Sequence, residues 1–383
     1  MAQQFFAPCP TGLEAVLAQE LAAIGASKVV PTRGGASFEG GWDTCYKVNL
    51  WSRIASRVLW KVASHPYLDE EDVYRRCHAV PWSKLFEVSR TIRVNVSAIG
   101  SPLRSLDFIT LRIKDAVCDR FRKDTDERPS VSTTSPDVRI HAFFEKSSFS
   151  VYLDTSGEAL FKRGYRLGTT EAPLRENLAA GMLALSGWTP EQVLLDPMCG
   201  TGTILMEAAL IALGIAPGAQ RDFAFGKLHS YDAALWKSMR AAVPAPAQRK
   251  LAIHGSDRDR RQVEIARKTF YAMGLENAVE IQTCDVLERK PPAAAGIMVT
   301  NPPYGVRLET AEALANFYPK LGTALKHNFP GWTAYVFTAD LDLTKRMGLK
   351  PSRRIPLFNG SLECRLYEIK LVAGALRAVR REA

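Results

Sequence analysis

The sequence lacks the features of a secreted, zinc-stabilised or membrane-spanning chain. Its seven cysteines (Cys9, Cys45, Cys77, Cys118, Cys199, Cys284 and Cys364) are odd in number and scattered, no two forming a CxxC pair, and its six histidines make no HxxxH. That excludes a disulfide framework and the usual zinc ligand spacings, and points to a reducing compartment with no metal. The most apolar helical stretch, Ile204 to Ala216, is 13 residues long and carries Glu207, too short and too polar to cross a bilayer. No cationic segment precedes a long apolar run at the N-terminus, so no signal peptide is expected. Repeats and low-complexity tracts are absent as well.

What is present is a globular composition. Hydrophobic residues make up 46% and charged residues 23% of 383 residues, a length that predicts two or three domains. The net charge of +10 favours an anionic partner, and nucleic acid is the first candidate. The charge is uneven. Residues 1–155 hold 20 Lys/Arg against 18 Asp/Glu, net +2, and residues 156–383 hold 30 against 22, net +8.

Pattern divides the chain into three parts. Residues 1–60 read as a compact α+β module: a strand at Phe5–Ala7, a helix capped by Thr11 and Glu14 and running to Ile24, a hairpin around Ala36–Glu39, and a helix from Asp43 to about Ser56. Residues 61–155 follow with a strand at Thr91–Val96, a helix from Ser105 to Lys123, and a hairpin pairing Val138–Phe144 with Phe149–Asp154. That helix carries Arg112, Lys114, Arg120, Arg122 and Lys123, interleaved with Asp115, Asp119 and Asp124, so it reads equally as an RNA contact or a solvated face. From 156 to 383 a basic connector, Phe161 to Arg166, leads into alternating strands and helices. Continuous apolar strands between helices of this length predict a parallel sheet covered on both faces, closed by an antiparallel hairpin at Arg354–Phe358 and Leu362–Ile369. The segment from Gly214 to Lys250 exceeds a minimal domain, and its Phe223, Phe225 and Trp236 fit a packed lid better than a base-stacking surface.

The strongest local signal is Asp196–Pro197–Met198–Cys199–Gly200–Thr201–Gly202–Thr203, between a buried strand and a buried helix. Ligands of open α/β sheets bind beyond the carboxyl ends of the strands, where this turn lies. A P-loop would need Lys in place of Thr203. A dinucleotide fingerprint would need Gly where Leu205 stands and an acid about 20 residues on. An S-adenosylmethionine pocket needs neither, because its ligand has no phosphate. Asp257 ends the next strand, where a carboxylate can accept from both ribose hydroxyls. Asp285 follows the third, placed for the adenine amino group, with Val286 against the ring. Singly each acid would be a helix cap or surface residue; three at successive strand ends form a pattern.

The second signal is Asn301–Pro302–Pro303–Tyr304–Gly305, after the fourth strand and 16 residues beyond Asp285. An exocyclic base amine is a poor nucleophile because its lone pair is delocalised into the ring. The Asn301 side-chain carbonyl and the Pro302 backbone carbonyl can accept its two N–H protons and favour the positive charge that develops as methyl arrives. The prolines stiffen the turn and Tyr304 offers a face for the base. These residues are the candidate catalytic set.

Together DPMCGTGT and NPPYG resemble the motifs of class I amino-methyltransferases. The whole chain is similar to the bacterial THUMP-domain RNA methyltransferases, with Phe161–Arg166, Ala172–Glu176 and Leu362–Tyr367 carrying further likeness. The resemblance implies a Rossmann-like class I methyltransferase domain with a mostly parallel seven-stranded sheet, preceded by a ferredoxin-like module and a THUMP domain. It implies a cytoplasmic enzyme that methylates guanine N2 in RNA, in 23S ribosomal RNA or a large-subunit precursor, as in the first half of the RlmL-type enzymes. Asp196, Gly200 and Gly202 would hold the methionine part of S-adenosylmethionine, with Pro197, Met198 and Thr203 beside them. Asp257 would hold the ribose, Asp285 and Val286 the adenine, and the helix opening at Glu176–Asn177 would close over the cofactor. The chain's end near 383 reads as the lack of a second methyltransferase half. Two other functions stay open: an adenine-N6 methyltransferase on DNA or RNA, and a non-catalytic RNA-binding assembly factor. If the parts are separable, deleting residues 1–155 leaves cofactor binding and loses RNA selection.

Overall fold

A computed structural model describes residues 2–103, 105–166, 174–245, 249–303 and 311–372. The chain forms two compact units. The first gathers residues 1–9, 17–162 and 216–243, and the second gathers 10–16, 163–215 and 244–383.

The first unit holds a single seven-stranded sheet. Its strands are β1 (Gln3–Pro8), β2 (Ser27–Thr32), β3 (Gly35–Gly40), β4 (Leu59–Pro66), β5 (Ile92–Ala98), β6 (Val138–Phe144) and β7 (Ser148–Asp154), in the order β2-β3-β1-β4-β7-β6-β5. The sheet is continuous across the N-terminal module and the following part, because β1 pairs with β4 through Phe5↔Trp60 and Phe6↔Leu59. Its helices are α1 (Glu14–Ile24) from Leu17 onward, α2 (Trp42–Trp51), α3 (Glu70–Ala79) and α4 (Leu106–Thr125). α4 follows its pattern: Ser105 caps it by accepting from the Phe108 N–H, and Ile109, Ile113, Val117 and Phe121 bury one stripe. Val73 and Cys77 of α3 share that core with Ile140 and Val151.

Several local expectations are corrected. α1 begins at Glu14, not after Thr11. Residues 10–13 form a turn, with Gly12 at φ +95°, and Glu14 Oε2 accepts from the Gly12 N–H at 2.8 Å instead of completing a box with Thr11. α2 ends at Trp51, and β2 was not foreseen, its residues being mostly exposed. On α4 the cations are largely paired, Arg120 with Asp124 at 2.9 Å and Arg122 with Asp119 at 3.4 Å, which favours the solvated-face reading. Helix α7 (Ala233–Ala241) belongs to this first unit, although its sequence lies inside the second half of the chain.

The second unit is the doubly wound part. After α5 (Glu176–Ser186) come β8 (Leu194–Asp196), α6 (Thr203–Ala212), β9 (Ile253–Asp257), α8 (Arg260–Ala272), β10 (Glu280–Thr283), β11 (Ile297–Thr300), α9 (Ala311–Asn328), β12 (Thr333–Thr338), α10 (Leu343–Arg346), β13 (Arg353–Asn359) and β14 (Leu362–Lys370). The sheet order is β10-β9-β8-β11-β12-β14-β13, with β10 through β12 parallel and β14 antiparallel to both its neighbours. From β8 the chain builds outward to β9 and β10, then returns to place β11 on the other side. The strand order therefore reverses between β8 and β11, and that switch point is where such sheets open a ligand crevice.

Candidate functional site

The loops after β8 and β11 flank that crevice, and they carry the two strongest sequence signals. Asp196 is the last residue of β8 and only 1% exposed. Its Oδ1 accepts from the Thr300 hydroxyl at 2.8 Å and from the Met198 N–H at 3.2 Å. Burial pushes its carboxyl up to about 7; those two hydrogen bonds pull it down, and the neighbouring Asp257 pushes it up. Thr300 ends β11 one residue before Asn301, so this bond ties the two loops together. Sequence reasoning missed Thr300, whose only signal was its place beside Asn301.

The turn after β8 needs its glycines for conformation. Gly200 and Gly202 stand at φ +51° and +82°. Gly202 is also the N-cap of α6, and Thr203 its first residue. The Gly200 N–H donates to Asp257 Oδ2 at 2.8 Å, and Asp257 Oδ1 accepts from the Asp259 N–H at 2.9 Å. The cap of α8 is Asp259, not Asp257, so the helix-cap alternative for Asp257 does not hold. Its backbone carbonyl accepts from the Cys284 N–H at 3.0 Å, bringing in the third loop. There Asp285 Oδ1 accepts from Leu287 N–H at 2.9 Å, and Val286 is buried in the core with Leu195 and Met298. Pro197 is buried and Met198 half-buried against that core. Four successive loops are thus bonded into one rim.

The fourth loop holds a buried acceptor without a donor. Asn301 Oδ1 is buried and has no hydrogen-bond partner among the described residues. A buried carbonyl oxygen without a donor is uncommon and calls for a reason. Pro302 is buried, and the Pro303 carbonyl accepts from the Tyr318 hydroxyl of α9 at 2.8 Å. Tyr318 is fully buried, its phenol pushed up to about 12 by burial, so it stays a donor at any working pH. It is a second residue that sequence reasoning missed: at position 318 it reads as core. Tyr304 lies outside the described residues.

On the α5 side, Glu176 and Asn177 are both buried. Arg166 Nε donates to Glu176 Oε1 at 3.1 Å, while burial raises the Glu176 carboxyl. Arg163 is not an exposed connector cation. Its side chain is 2% exposed and pairs with Glu207 of α6 at 3.3 Å, and the Tyr165 hydroxyl donates to the same oxygen at 3.2 Å. The connector is pinned by buried ion pairs. Phe223, Phe225 and Trp236 are buried in the first unit around Tyr46, with Phe225 4.4 Å from the Tyr46 ring, as packed residues and not stacking platforms.

Comparison with known proteins settles the family. Residues 163–368, more than half of the chain, match the RMKL-like methyltransferase domain, residues 4–59 the RlmL ferredoxin-like domain, and residues 67–154 the THUMP domain. The chain belongs to the RMKL-like methyltransferases. It is a class I, S-adenosylmethionine-dependent methyltransferase with ferredoxin-like and THUMP regions ahead of the catalytic fold. A Synechocystis relative named "Putative RNA methyltransferase slr0064" is 38% identical over 370 residues, 96% of either chain. The "Ribosomal RNA large subunit methyltransferase K/L" of Syntrophotalea carbinolica is 40% identical over 96% of this chain. This chain spans 53% of that protein, about half the length of the K/L relatives. The crystal structure of "SMU.472, a putative methyltransferase complexed with SAH" is 33% identical with a TM-score of 0.87, covering 96% of this chain and 98% of that one.

Proposed function

We propose that this RMKL-like methyltransferase is a cytoplasmic enzyme that transfers methyl to guanine N2 in RNA, in 23S ribosomal RNA or a large-subunit precursor. The observation that carries the reading is Asn301 Oδ1, buried and without a partner among the described residues, next in sequence to the Thr300 that bonds Asp196 at the switch point. The names of the relatives and the THUMP region support RNA as the substrate. Among the described residues no helix is long and apolar enough to cross a membrane. Residues 1–60, 61–155 and 156–383 then serve as ferredoxin-like, THUMP and catalytic parts.

In this reading Asp196, Pro197, Met198, Gly200, Gly202 and Thr203 hold the methionine end of S-adenosylmethionine, Asp257 the ribose, and Asp285 with Val286 the adenine. Glu176 and Asn177 border the same pocket. When bound, the cofactor would give its methyl to the target amine as its sulfonium becomes a neutral thioether. Asn301 Oδ1 and the Pro302 carbonyl each accept one N–H of the target amine, turning its nitrogen lone pair towards that methyl. The same acceptors steady the cationic nitrogen until it loses a proton. Tyr318 fixes the turn through the Pro303 carbonyl. The clamp fits an adenine N6 amine as well, which makes nucleoside identity the deciding test. Ribosomal RNA from cells lacking the protein should lose one N2-methylguanosine. Loss of N6-methyladenosine instead would transfer the reading to adenine, and an unchanged nucleoside profile would refute ribosomal RNA methylation.

Asp196 also makes cofactor binding pH-dependent. Its folded carboxyl is raised above the usual 3.8 to about 7, so its contribution to stability is full at low pH and declines as pH rises towards 7. A cationic ligand favours the carboxylate and reverses that preference. Cofactor affinity should fall as pH drops from 7, by up to about tenfold per unit. Calorimetry in two buffers at pH 6 should record uptake by the buffer of roughly one proton, and Asp196→Asn should abolish it. A pH-independent affinity between 5.5 and 7 would place the cation elsewhere.

A further inference from the structure

The outer edge of the second unit carries a feature that the methyl-transfer site does not use. β10 is the edge strand, pairing only with β9 among the described residues. Between it and α8 lies a hollow of about 410 Å³ whose lining includes Arg267, Lys268, Phe270, Tyr271 and Ile281. A second hollow of about 520 Å³ shares Glu276 and Val279 with it and adds Arg249, Lys250 and Asn277. The two form one groove.

Three observations identify what fits the groove. Tyr271 is 73% exposed, and its side chain makes no ring contact, ion pair or hydrogen bond among the described residues. A large ring left in solvent on a helix whose other aromatic, Phe270, is 2% exposed is a surface awaiting a partner. The charge is positive: four cations, Arg249, Lys250, Arg267 and Lys268, stand against two carboxylates, Glu276 and Glu280. Helical spacing puts Arg267 and Tyr271 on one face, with Lys268 alongside. Finally, the strand edge is blocked to another strand. The Arg267 guanidinium donates to the Ile281 carbonyl, at 2.6 Å from Nη2 and 3.2 Å from Nε, so a peptide pairing with β10 would have to displace it.

An exposed aromatic ring over an apolar floor, rimmed by cations of which Lys250 and Lys268 make no ion pair among the described residues, is the arrangement that holds single-stranded nucleic acid. The base stacks on the ring and the phosphates lie along the cations. Glu276 adds an acceptor for a base amine. We propose that this groove is a second RNA-docking surface, where an unpaired base of the substrate stacks on Tyr271 while Lys268 and Lys250 take the backbone. It rests on the RNA reading of the active site and extends it: the catalytic unit grips RNA itself, away from the methyl-transfer loops.

The test uses the full chain, protein-free large-subunit ribosomal RNA and a labelled oligouridine strand. Tyr271→Ala should weaken RNA binding about fivefold or more, in the range lost with one stacked base. Tyr271→Phe should retain it, since the ring is kept. Lys268→Glu should weaken binding and reduce its dependence on salt. S-adenosylhomocysteine affinity should stay within twofold in all three, which certifies the fold. RNA affinity of Tyr271→Ala and Lys268→Glu equal to that of the parent would overturn the groove and leave the active-site reading intact. Failure of the parent chain to bind or methylate RNA would overturn both.

Discussion

Replacing Asn301 with alanine should lower the methyl-transfer rate constant on the order of 100- to 1000-fold, the usual consequence of losing one preorganised group that meets charge developing in a transition state. The fold should not suffer. Asn301 Oδ1 makes no hydrogen bond among the described residues, so its removal breaks none and takes away a buried, unsatisfied acceptor. Cofactor affinity should stay within about twofold, because the residues assigned to the cofactor stand on α5, at the ends of β8 and β9, and on the loops after β8, β9 and β10, and Asp196 keeps its bond from Thr300. Tyr318→Phe makes a useful contrast. It leaves the Asn301 acceptor in place and frees the Pro303 carbonyl, so the rate constant should fall about tenfold, in proportion to a loosened turn, with little change in KM for the cofactor. Stopped quench-flow under single-turnover conditions separates these effects from product release. Parental single-turnover rates in Asn301→Ala would remove the amine clamp, whatever the nucleoside product.

What could be read from sequence was what a local period or a short motif encodes. The strand–turn–helix around Asp196, the acids at Asp257 and Asp285, and the Asn301 turn all sit at strand ends because continuous apolar runs and their punctuation mark those ends. The hairpin from Arg353 to Lys370 was announced by Asn359–Gly360–Ser361. Pairing between distant elements was not legible. Nothing local says that β1 pairs with β4 to make one sheet of two modules, or that β11 lies against β8. Thr300 and Tyr318 escaped for the same reason: a threonine at a strand end and a tyrosine in an apolar helix acquire their roles only from what the fold brings within hydrogen-bond reach. The partner of Arg163 was not legible either, because the buried Glu207 that neutralises it lies 44 residues away.

Separability of the two halves is where structure departs most from the sequence expectation, and it yields the other large effect. The fragment 156–383 should be recovered as insoluble aggregate, not as a cofactor-binding domain. It would carry residues 216–243, whose packing partners it lacks. Phe223, Phe225 and Trp236 are 7%, 1% and 7% exposed, and the Tyr46 ring packs tilted against Phe225 and edge-on to Trp236. Among the described residues of that segment four backbone donors lose their acceptors: Gly218 N–H to Leu50, Phe225 N–H to Thr155, His229 N–H to Leu85 and Asp232 N–H to the Tyr46 hydroxyl, all at 2.9 Å. Each freed aromatic side chain exposes on the order of 150–250 Å², so together they exceed the apolar patch a soluble monomer normally tolerates. Replacing 216–243 with a short Gly/Ser linker removes that surface but not a second defect. Residues 10–16 belong to the catalytic unit, and Leu13, fully buried, lies so close to Gly181 of α5 that a Cβ there would collide with it. Loss of a buried leucine opens a cavity worth about 2–5 kcal/mol. A fragment with the linker and residues 10–16 restored as a separate peptide should therefore regain cofactor binding where either change alone does not. Analytical ultracentrifugation with calorimetric titration of S-adenosylhomocysteine decides it, and a soluble, monomeric 156–383 with parental affinity would show that neither contribution matters.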